Sequence, residues 1–320
     1  MKYLIIPLLI SYAASPNTPW GFFAHKKINK LAIFCLPPPL INLYKRHIHE
    51  IETYAVLPDQ RRHNLDKEAA RHYIDLDRYE INRIKYLNWE EVTKEFTTDS
   101  LEKHGIIPWN IATFYQSLKY AFLDRDTLRI IKISAELGHY VADAHVPLHT
   151  TSNYDGQQTN QVGIHSFWES KIPEHLQEKL EDWIGPATYI ESPIKASWDW
   201  ILESHQLLPH LLAQEKELNK ETADSKKYRH LQKGFILEKT YSTLYVENYH
   251  KRLNSQVEKR FQDSPTRRSR PSRPHSLERN AICDGAKRNS GFGPASPPSV
   301  AVGASQWVLP TTMLYDRSSW

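Results

Sequence analysis

Histidines and carboxylates recur at a four-residue spacing in two nearby segments of the chain. His139 and Asp143 are four residues apart, His165 and Glu169 repeat that separation, and His149 lies between the two pairs. On a helix, residues four apart lie one above the other on the same face. An imidazole and a carboxylate placed in this way suit Zn²⁺, which binds both at about 2.0–2.2 Å. One such pair is usually a surface polar pair, but two pairs and a further histidine together predict a metal site.

Other residues of the same chemical types lie upstream. Asp59 precedes His72 by 13 positions and is followed three residues later by Arg62, and His25 follows Trp20 closely. Taken separately, Asp59 and His72 would pass for polar loop residues. The residues that flank the two pairs are apolar, so the pairs are expected to face a core, where an unpaired acid or imidazole is costly.

Together these residues resemble the ordered ligand set of the zinc-dependent phospholipase C family, whose superfamily also contains the single-strand-specific zinc nucleases. The set consists of Trp20, His25, Asp59, His72, His139, Asp143, His149, His165 and Glu169. The resemblance extends over about residues 20–250, and its most specific part is the segment from Asp143 to His149. It implies an all-helical fold with three zinc ions in a cleft, and a hydrolase that acts on phosphoric ester bonds.

The resemblance also implies how the ligands are shared. One zinc would be held by Asp59, His72, His139 and Asp143, and a second by His149, His165 and Glu169. The third would be held by the backbone amine and carbonyl of a mature N-terminal Trp20, with His25 and a bridging Asp143. His145, which lies between the ligands, is interpreted as a structural residue that supports them.

Zinc ions close together activate water as hydroxide for attack on phosphorus, and Asp59 is the candidate catalytic residue that orients or deprotonates it. Candidate substrate-binding residues are Arg62, Tyr73, Tyr154 and Trp168, with packing in the core or at the rim as the alternative for the three aromatic residues. The residues that could indicate the substrate point to two different classes of enzyme. Glu169 resembles the phospholipase pattern, whereas Arg62 three residues after Asp59 resembles the nuclease pattern.

The leading hypothesis is an exported phosphoesterase of phospholipase C type that acts on a phospholipid or another phosphodiester. One alternative is a single-strand nuclease or nucleotidase of the same superfamily, for which a positive groove is expected. Residues 1–250 have a net charge of −3 and residues 251–320 one of +7, so the body argues against a nucleic-acid substrate. A zinc-binding protein without turnover and a tail-driven nucleic-acid or surface binder are further alternatives.

Helical periodicity between residues 20 and 262 predicts one all-α domain that positions these groups. Its apolar stripes are Ile28, Leu31 and Cys35; Ile107, Ile111, Phe114, Leu118 and Phe122; and Leu128, Ile131, Ala135, Gly138 and Ala142. Because Pro147 disfavours helix at the preceding residue, the third helix is expected to end near His145, so that His149 turns back toward its face. The 320 residues are 40% apolar and 24% charged, which excludes a collagen-like or multi-pass membrane protein.

The two ends of the chain differ from this domain. Residues 1–19 have the charged, apolar and small-residue regions of a signal peptide, which predicts secretion or a periplasmic location. Pro19 is a poor cleavage position, whereas Ser11-Tyr12-Ala13 fits the cleavage pattern, so a two-zinc enzyme is expected unless a second trimming step exposes Trp20. Residues 263–320 are predicted to be a disordered basic tail. A frameshift near residue 263 would explain the abrupt loss of helical periodicity.

Overall fold

The structure, a computed structural model, describes residues 22–38, 40–62, 64–178, 185–233, 236–254 and 256–266. The α-helices are α1 (Phe22–Phe34), α2 (Leu40–Arg46), α3 (Ile48–Tyr54), α4 (Leu57–Arg61), α5 (Ile81–Ile84), α6 (Trp89–Glu95), α7 (Thr98–His104), α8 (Ile107–Leu123), α9 (Thr127–Ala144), α10 (Ile164–Ser166), α11 (Ile172–Leu176), α12 (Pro193–Glu221), α13 (Asp224–Lys227), α14 (Thr243–Arg252) and α15 (Gln256–Thr266). Three-residue and four-residue 3-10 turns lie at Ala69–His72, Leu76–Arg78 and Pro147–Thr150, and a π-helical turn at Phe167–Lys171.

The predicted all-helical fold is confirmed, with one addition. Strands β1 (Tyr228–Lys233) and β2 (Ile236–Tyr241) pair antiparallel, with Tyr228 opposite Tyr241. None of the described helices is both long and apolar enough to cross a membrane.

Helix α9 runs through the centre of the core and packs along α8. The Asp126 side chain caps its first turn by accepting from the Arg129 N–H, and His145 occupies the C-terminal cap, as Pro147 predicts. Most of the predicted α9 stripe is buried, but Leu128 is 76% exposed. That part of the prediction was wrong, because Leu128 and Arg129 lie on the solvent side of the first turn, whereas Ile130 lies on its buried side.

Gly138 allows α1 to approach α9 closely. A Cβ atom at this position would lie 2.2 Å from the side-chain oxygen of Asn29 on α1, so only glycine fits. Asn29 in turn donates to the carbonyl of His25 at 3.0 Å. The missing side chain of Gly138 therefore brings the helix that carries His25 against the helix that carries His139 and Asp143.

The C-terminal part of the described chain packs on the same helices. Helix α15 contacts α1 and α9, and it continues to Thr266, four residues into the segment predicted as tail. Residues 267–320, the proposed signal peptide (1–19) and Trp20 lie outside the described residues. The domain boundaries remain predictions.

Candidate metal centre

Helix α9 presents His139 and Asp143 on one buried face. His139 Nε2 lies 3.3 Å from Asp143 Oδ2, as the four-residue spacing predicts. The other ring nitrogen of His139, Nδ1, donates to the carbonyl of Ala55 at 2.9 Å. Because this bond holds one proton on Nδ1, Nε2 is the nitrogen that faces Asp143 and that would bind a metal ion after losing its proton.

His72 reaches this face from the 3-10 turn Ala69–His72. Its Nδ1 lies 2.9 Å from Asp143 Oδ2 and 3.1 Å from His139 Nε2. All three side chains are buried. Their candidate ligand atoms lie within 4.8 Å of one another, a spread that one metal ion could bridge.

Asp59 and His25 complete this part of the cluster. Asp59 lies in α4, where Pro58 occupies the first turn and needs no hydrogen-bond partner for its nitrogen. The Asp59 Oδ1 atom is 3.7 Å from His139 Nε2 and 3.8 Å from His72 Nδ1. The His25 ring stacks on that of His139 with centroids 3.8 Å apart, and its Nε2 lies 4.0 Å from Asp59 Oδ2.

A second group gathers at the C-terminal side of α9. His149 lies in the turn Pro147–Thr150, and its Nε2 is 2.9 Å from Glu169 Oε1. His165 Nε2 is 2.8 Å from Glu169 Oε2. Glu169 belongs to the π-helical turn Phe167–Lys171, a local form that is often found at functional sites.

The loop before α10 fixes the orientation of His165. The carbonyl of Tyr154 accepts from His165 Nδ1 at 3.2 Å, so Nε2 is left for Glu169 or a metal ion. Asp155 Oδ1 accepts the backbone N–H groups of Gly163 at 3.0 Å and His165 at 3.3 Å. The loop carbonyl and the Asp155 carboxylate thus hold the ring and the backbone of one ligand candidate.

The structure brings together every predicted metal ligand that it describes. Three compact groups of candidate ligands are present: His25, Asp59 and His139; His72, His139 and Asp143; and His149, His165 and Glu169. The last group coincides with the proposed second site. His25 lies with Asp59 and His139, and its Nε2 is also 3.4 Å from Asp143 Oδ1, the proposed bridging carboxylate. Trp20 lies outside the described residues, and the assignment of ligands to individual ions remains a prediction.

The donor set fits divalent metal ions. Asp59 Oδ2 and His149 Nδ1 are buried and form no hydrogen bond within the described part of the chain. Buried carboxylate and imidazole atoms without partners are unfavourable. Imidazole nitrogens and carboxylate oxygens are also the ligands that Zn²⁺ takes when sulfur is absent. A cation between these atoms would satisfy them together.

The buried histidines and carboxylates of the cluster shift one another's pKa values. Burial opposes protonation of His139, but the carboxylates of Asp143 and Asp59 raise its pKa to about 9. Burial would raise the pKa of Asp143, but His139 and His149 hold it well below its usual value. Burial and the neighbouring His139 keep the pKa of His25 well below its usual value. The cluster therefore holds protons that a divalent cation would displace.

Tyr154 lies beside His165, and the charge of Arg62 acts on both His165 and Tyr73. The Tyr154 side chain is 53% exposed, and its ring meets that of His165 edge-on with centroids 6.1 Å apart. The Arg62 charge lowers the pKa of both His165 and Tyr73, although burial leaves the Tyr73 pKa above its usual value. The Tyr73 hydroxyl donates to the carbonyl of Lys103, so its ring is the part that remains available.

Trp168 belongs to the core. Its side chain is 2% exposed and packs in the apolar cluster around α1, α14 and the π-helical turn, although Glu169 is its chain neighbour. The substrate role considered for Trp168 is therefore replaced by packing. His145 is also buried, its Nδ1 donates to the carbonyl of Val141 at 2.7 Å, and its ring lies 5.3 Å from that of Trp200. This agrees with the structural role predicted for His145.

Glu68, which lies beside His72, was not among the predicted site residues. Glu68 is 1% exposed, and its Oε1 atom is 3.7 Å from His72 Nε2. A sequence signal for it exists, because Glu68 and His72 have the same four-residue separation as the two pairs that were singled out. The 3-10 turn between them obscured it, since no helical stripe marks that segment.

Comparisons with known proteins leave the family open. No protein-family model matches the chain, and no curated protein matches it. Among solved structures, the chain is similar to the alpha toxin from Clostridium absonum, with 13% sequence identity and a TM-score of 0.44. That match covers 77% of this chain and 66% of the toxin chain, slightly less than two thirds of the toxin's length. What this protein does must therefore be inferred from its own residues.

Proposed function

We propose that this protein is a zinc-dependent phosphoesterase that hydrolyses phosphodiester bonds, most closely in the manner of a phospholipase C. The observation that supports this proposal best is the buried cluster of five imidazole and carboxylate groups that includes Asp143, with a second group joined to it through His149. His149 Nδ1 lies 3.7 Å from Asp143 Oδ1. Adjacent metal sites of this kind are suited to in-line displacement at phosphorus. The ligand order in the sequence supports the same proposal.

The reaction replaces one ester bond at phosphorus. A P–O bond forms to the oxygen of water, the P–O bond to the leaving group breaks, and the water proton passes to a base while the leaving oxygen takes up a proton. Zinc, when bound, supplies Lewis acidity that acidifies water and neutralises phosphoryl charge. Asp59 is the proposed base, because burial raises its pKa toward the range in which a carboxylate can accept a proton.

Arg62 is the proposed phosphate-binding side chain. It is partly exposed, and its side chain makes no hydrogen bond or ion pair within the described part of the chain. A guanidinium without a carboxylate partner is free to bind two phosphoryl oxygens at once. Its charge lowers the pKa of His165, which supports a position within electrostatic reach of the second ligand group. Exposed Tyr154 is the proposed contact for the rest of the substrate.

The nuclease alternative has one specific observation in its favour. The exposed ring of Tyr154 beside His165 offers an aromatic surface on which a base could stack. The same ring would also pack against glycerol or acyl carbons of a lipid. Substrate choice must therefore be measured.

The decisive experiment compares three substrates. We expect the full-length protein to hydrolyse a phosphatidylcholine analogue faster than single-stranded DNA, with bis(p-nitrophenyl) phosphate as a generic diester. A chelator should abolish each activity and added Zn²⁺ should restore it. Faster hydrolysis of single-stranded DNA would support the nuclease alternative. Zinc binding without hydrolysis of any of the three would contradict the enzymatic proposal.

The proposed location is outside the cytoplasm, by secretion or in the periplasm, and it rests on the signal-like N-terminal segment. N-terminal sequencing of exported protein, together with zinc analysis, tests both the location and the third zinc. A chain that starts at Trp20 should bind three zinc ions, and one that starts at Ala14 should bind two.

A further inference from the structure

A buried network of charged and polar groups lies directly beside the metal-ligand cluster. Its acceptors are Glu68, 1% exposed, and Glu136, 5% exposed, and the hydroxyl of fully buried Tyr140 joins them. Arg61 donates to Glu136 Oε2 at 3.0 Å and to Glu68 Oε1 at 3.3 Å. Arg71 Nη1 adds a contact to Glu68 Oε2 at 3.3 Å. Two carboxylates are thus balanced by two guanidinium groups.

The contacts of Arg61 are bidentate toward both acids. Its Nη1 lies 2.9 Å from Glu136 Oε1 while Nη2 reaches Oε2, and its Nε and Nη2 both donate to Glu68 at 3.3 Å. Tyr140 donates its hydroxyl proton to Glu68 Oε1 and also accepts from Arg61 at 3.2 Å. A planar guanidinium held on two sides fixes the relative position of the elements that carry its partners.

Each member of the network is adjacent to a metal-ligand candidate. Arg61 follows Asp59 by two residues on α4, and Glu68 precedes His72 by four. Glu136 lies one turn before His139 on α9. The network therefore connects the three elements whose side chains must converge on one ion.

His72 links the network to the cluster through its two ring nitrogens. Nδ1 faces Asp143 at 2.9 Å, while Nε2 faces Glu68 at 3.7 Å and has no hydrogen bond of normal geometry within the described residues. If Nδ1 binds a metal ion, Nε2 carries the proton and points toward the Glu68 carboxylate. A carboxylate on the far nitrogen of a ligating histidine orients the ring and raises its basicity.

We propose that Glu68 is a positioning residue for His72, and that the Arg61–Glu136 contacts hold Glu68 and the Asp59 helix in place for metal binding. This inference rests on the proposed metal-dependent function. A purely structural network would stabilise the protein equally with and without metal. A positioning network also changes the affinity and the electronic environment of the bound ion.

The test compares three variants of the full-length protein with the wild type. Glu68→Gln keeps the side-chain size and an acceptor for Tyr140 but removes the charge that faces His72. Glu136→Gln weakens the contact with Arg61 and changes no residue that contacts a histidine. It tests the same inference if Glu68→Gln does not fold. Glu90→Gln on α6, where the Glu90 side chain is 84% exposed and pairs only with Lys94 among the described residues, is the matched control.

Three readouts separate the roles: zinc affinity by chelator competition, the visible spectrum of the Co²⁺-substituted protein, and thermal stability of the metal-free protein. We expect Glu68→Gln to bind zinc about 10–100-fold more weakly and to shift the Co²⁺ bands. Glu136→Gln should weaken zinc binding in the same direction, and Glu90→Gln should match the wild type.

Two outcomes would overturn the inference in different ways. If the wild type binds zinc and Glu68→Gln and Glu136→Gln bind it equally well with unchanged Co²⁺ spectra, the network is structural and this inference alone is wrong. If the wild type binds neither zinc nor cobalt, the proposed function is wrong and the positioning role is wrong with it.

Discussion

The Oδ2 atom of Asp143 lies 2.9 Å from Nδ1 of His72, a residue 71 positions earlier in the chain. The other oxygen of the same carboxylate, Oδ1, lies 3.4 Å from His25 Nε2 and 3.7 Å from His149 Nδ1. Asp143 is therefore the residue that contacts both ligand groups. Its removal should affect more of the metal centre than the removal of any one histidine.

We expect Asp143→Asn to lower phosphodiester hydrolysis to about 1% of the wild type or less, because the metal centre loses its shared carboxylate. His139→Ala should have a similar effect. His145→Ala, on the same helix end but bonded to the carbonyl of Val141, should retain most activity while losing stability. Equal loss of activity in all three folded variants would contradict the distinction between facing and non-facing histidines.

Chelation should destabilise the protein, because the buried carboxylates and imidazoles then lack the cation that satisfies them. Zinc at about 1,000 times its Kd would stabilise the fold by about 4 kcal/mol. In a domain of this size that corresponds to a change in Tm of about 10 °C. Calorimetry before and after EDTA treatment, with elemental analysis of the same samples, measures it. An unchanged Tm after complete removal of zinc would contradict the prediction.

Tyr154 and Trp168 should respond differently to truncation. Tyr154→Ala removes an exposed side chain, so we expect a higher KM and little change in stability. Trp168→Ala opens a cavity in the core and should destabilise the fold by about 3–5 kcal/mol. Steady-state kinetics and urea denaturation distinguish the two effects. A Trp168→Ala protein of wild-type stability would show that its buried position is wrong.

Arg260 should be essential to the stability of the C-terminal region. Its buried guanidinium donates to the carbonyl of His145 at 3.1 Å and to that of Trp200 at 2.9 Å, so it joins α15 to the end of α9 and to α12. Arg260→Ala leaves these carbonyls without a donor and should cost about 2–4 kcal/mol in urea denaturation. Lys259→Ala, at the exposed neighbouring position, is the control and should stay within about 0.5 kcal/mol of the wild type.

Glu68 should make the metal-free protein sensitive to acid. Burial alone would raise the pKa of Glu68, but His72, Tyr140 and Arg61 lower it from 4.5 to about 2. A carboxylate whose pKa is lower in the folded state stabilises the fold above its unfolded pKa, and that contribution is lost as the pH falls. We therefore expect wild-type stability to decrease between pH 4.5 and 2 more steeply than that of Glu68→Gln. Parallel pH profiles, measured by urea denaturation with chelator present, would contradict this.

Local patterns in the chain predicted much of the helical framework. The four-residue spacings of His139 with Asp143 and of His165 with Glu169 depend only on helix geometry, and both pairs meet as expected. Pro147 determined the end of α9 through its steric effect on the preceding residue. Apolar periodicity likewise predicted an all-helical domain, because it records which side of each helix is buried.

Which of these side chains share a site was decided only by the tertiary structure. Trp168 and Glu169 are adjacent in the chain, yet the Trp168 side chain packs in the core and the Glu169 carboxylate contacts His149 and His165. The way in which the turn Phe167–Lys171 packs on its neighbours decides which of the two side chains faces the metal-ligand cluster. The contacts of Arg61 with Glu136 span 75 residues and leave no periodic trace in the sequence. Long-range contacts depend on how helices dock, and the energy of docking comes from surfaces that no single segment contains.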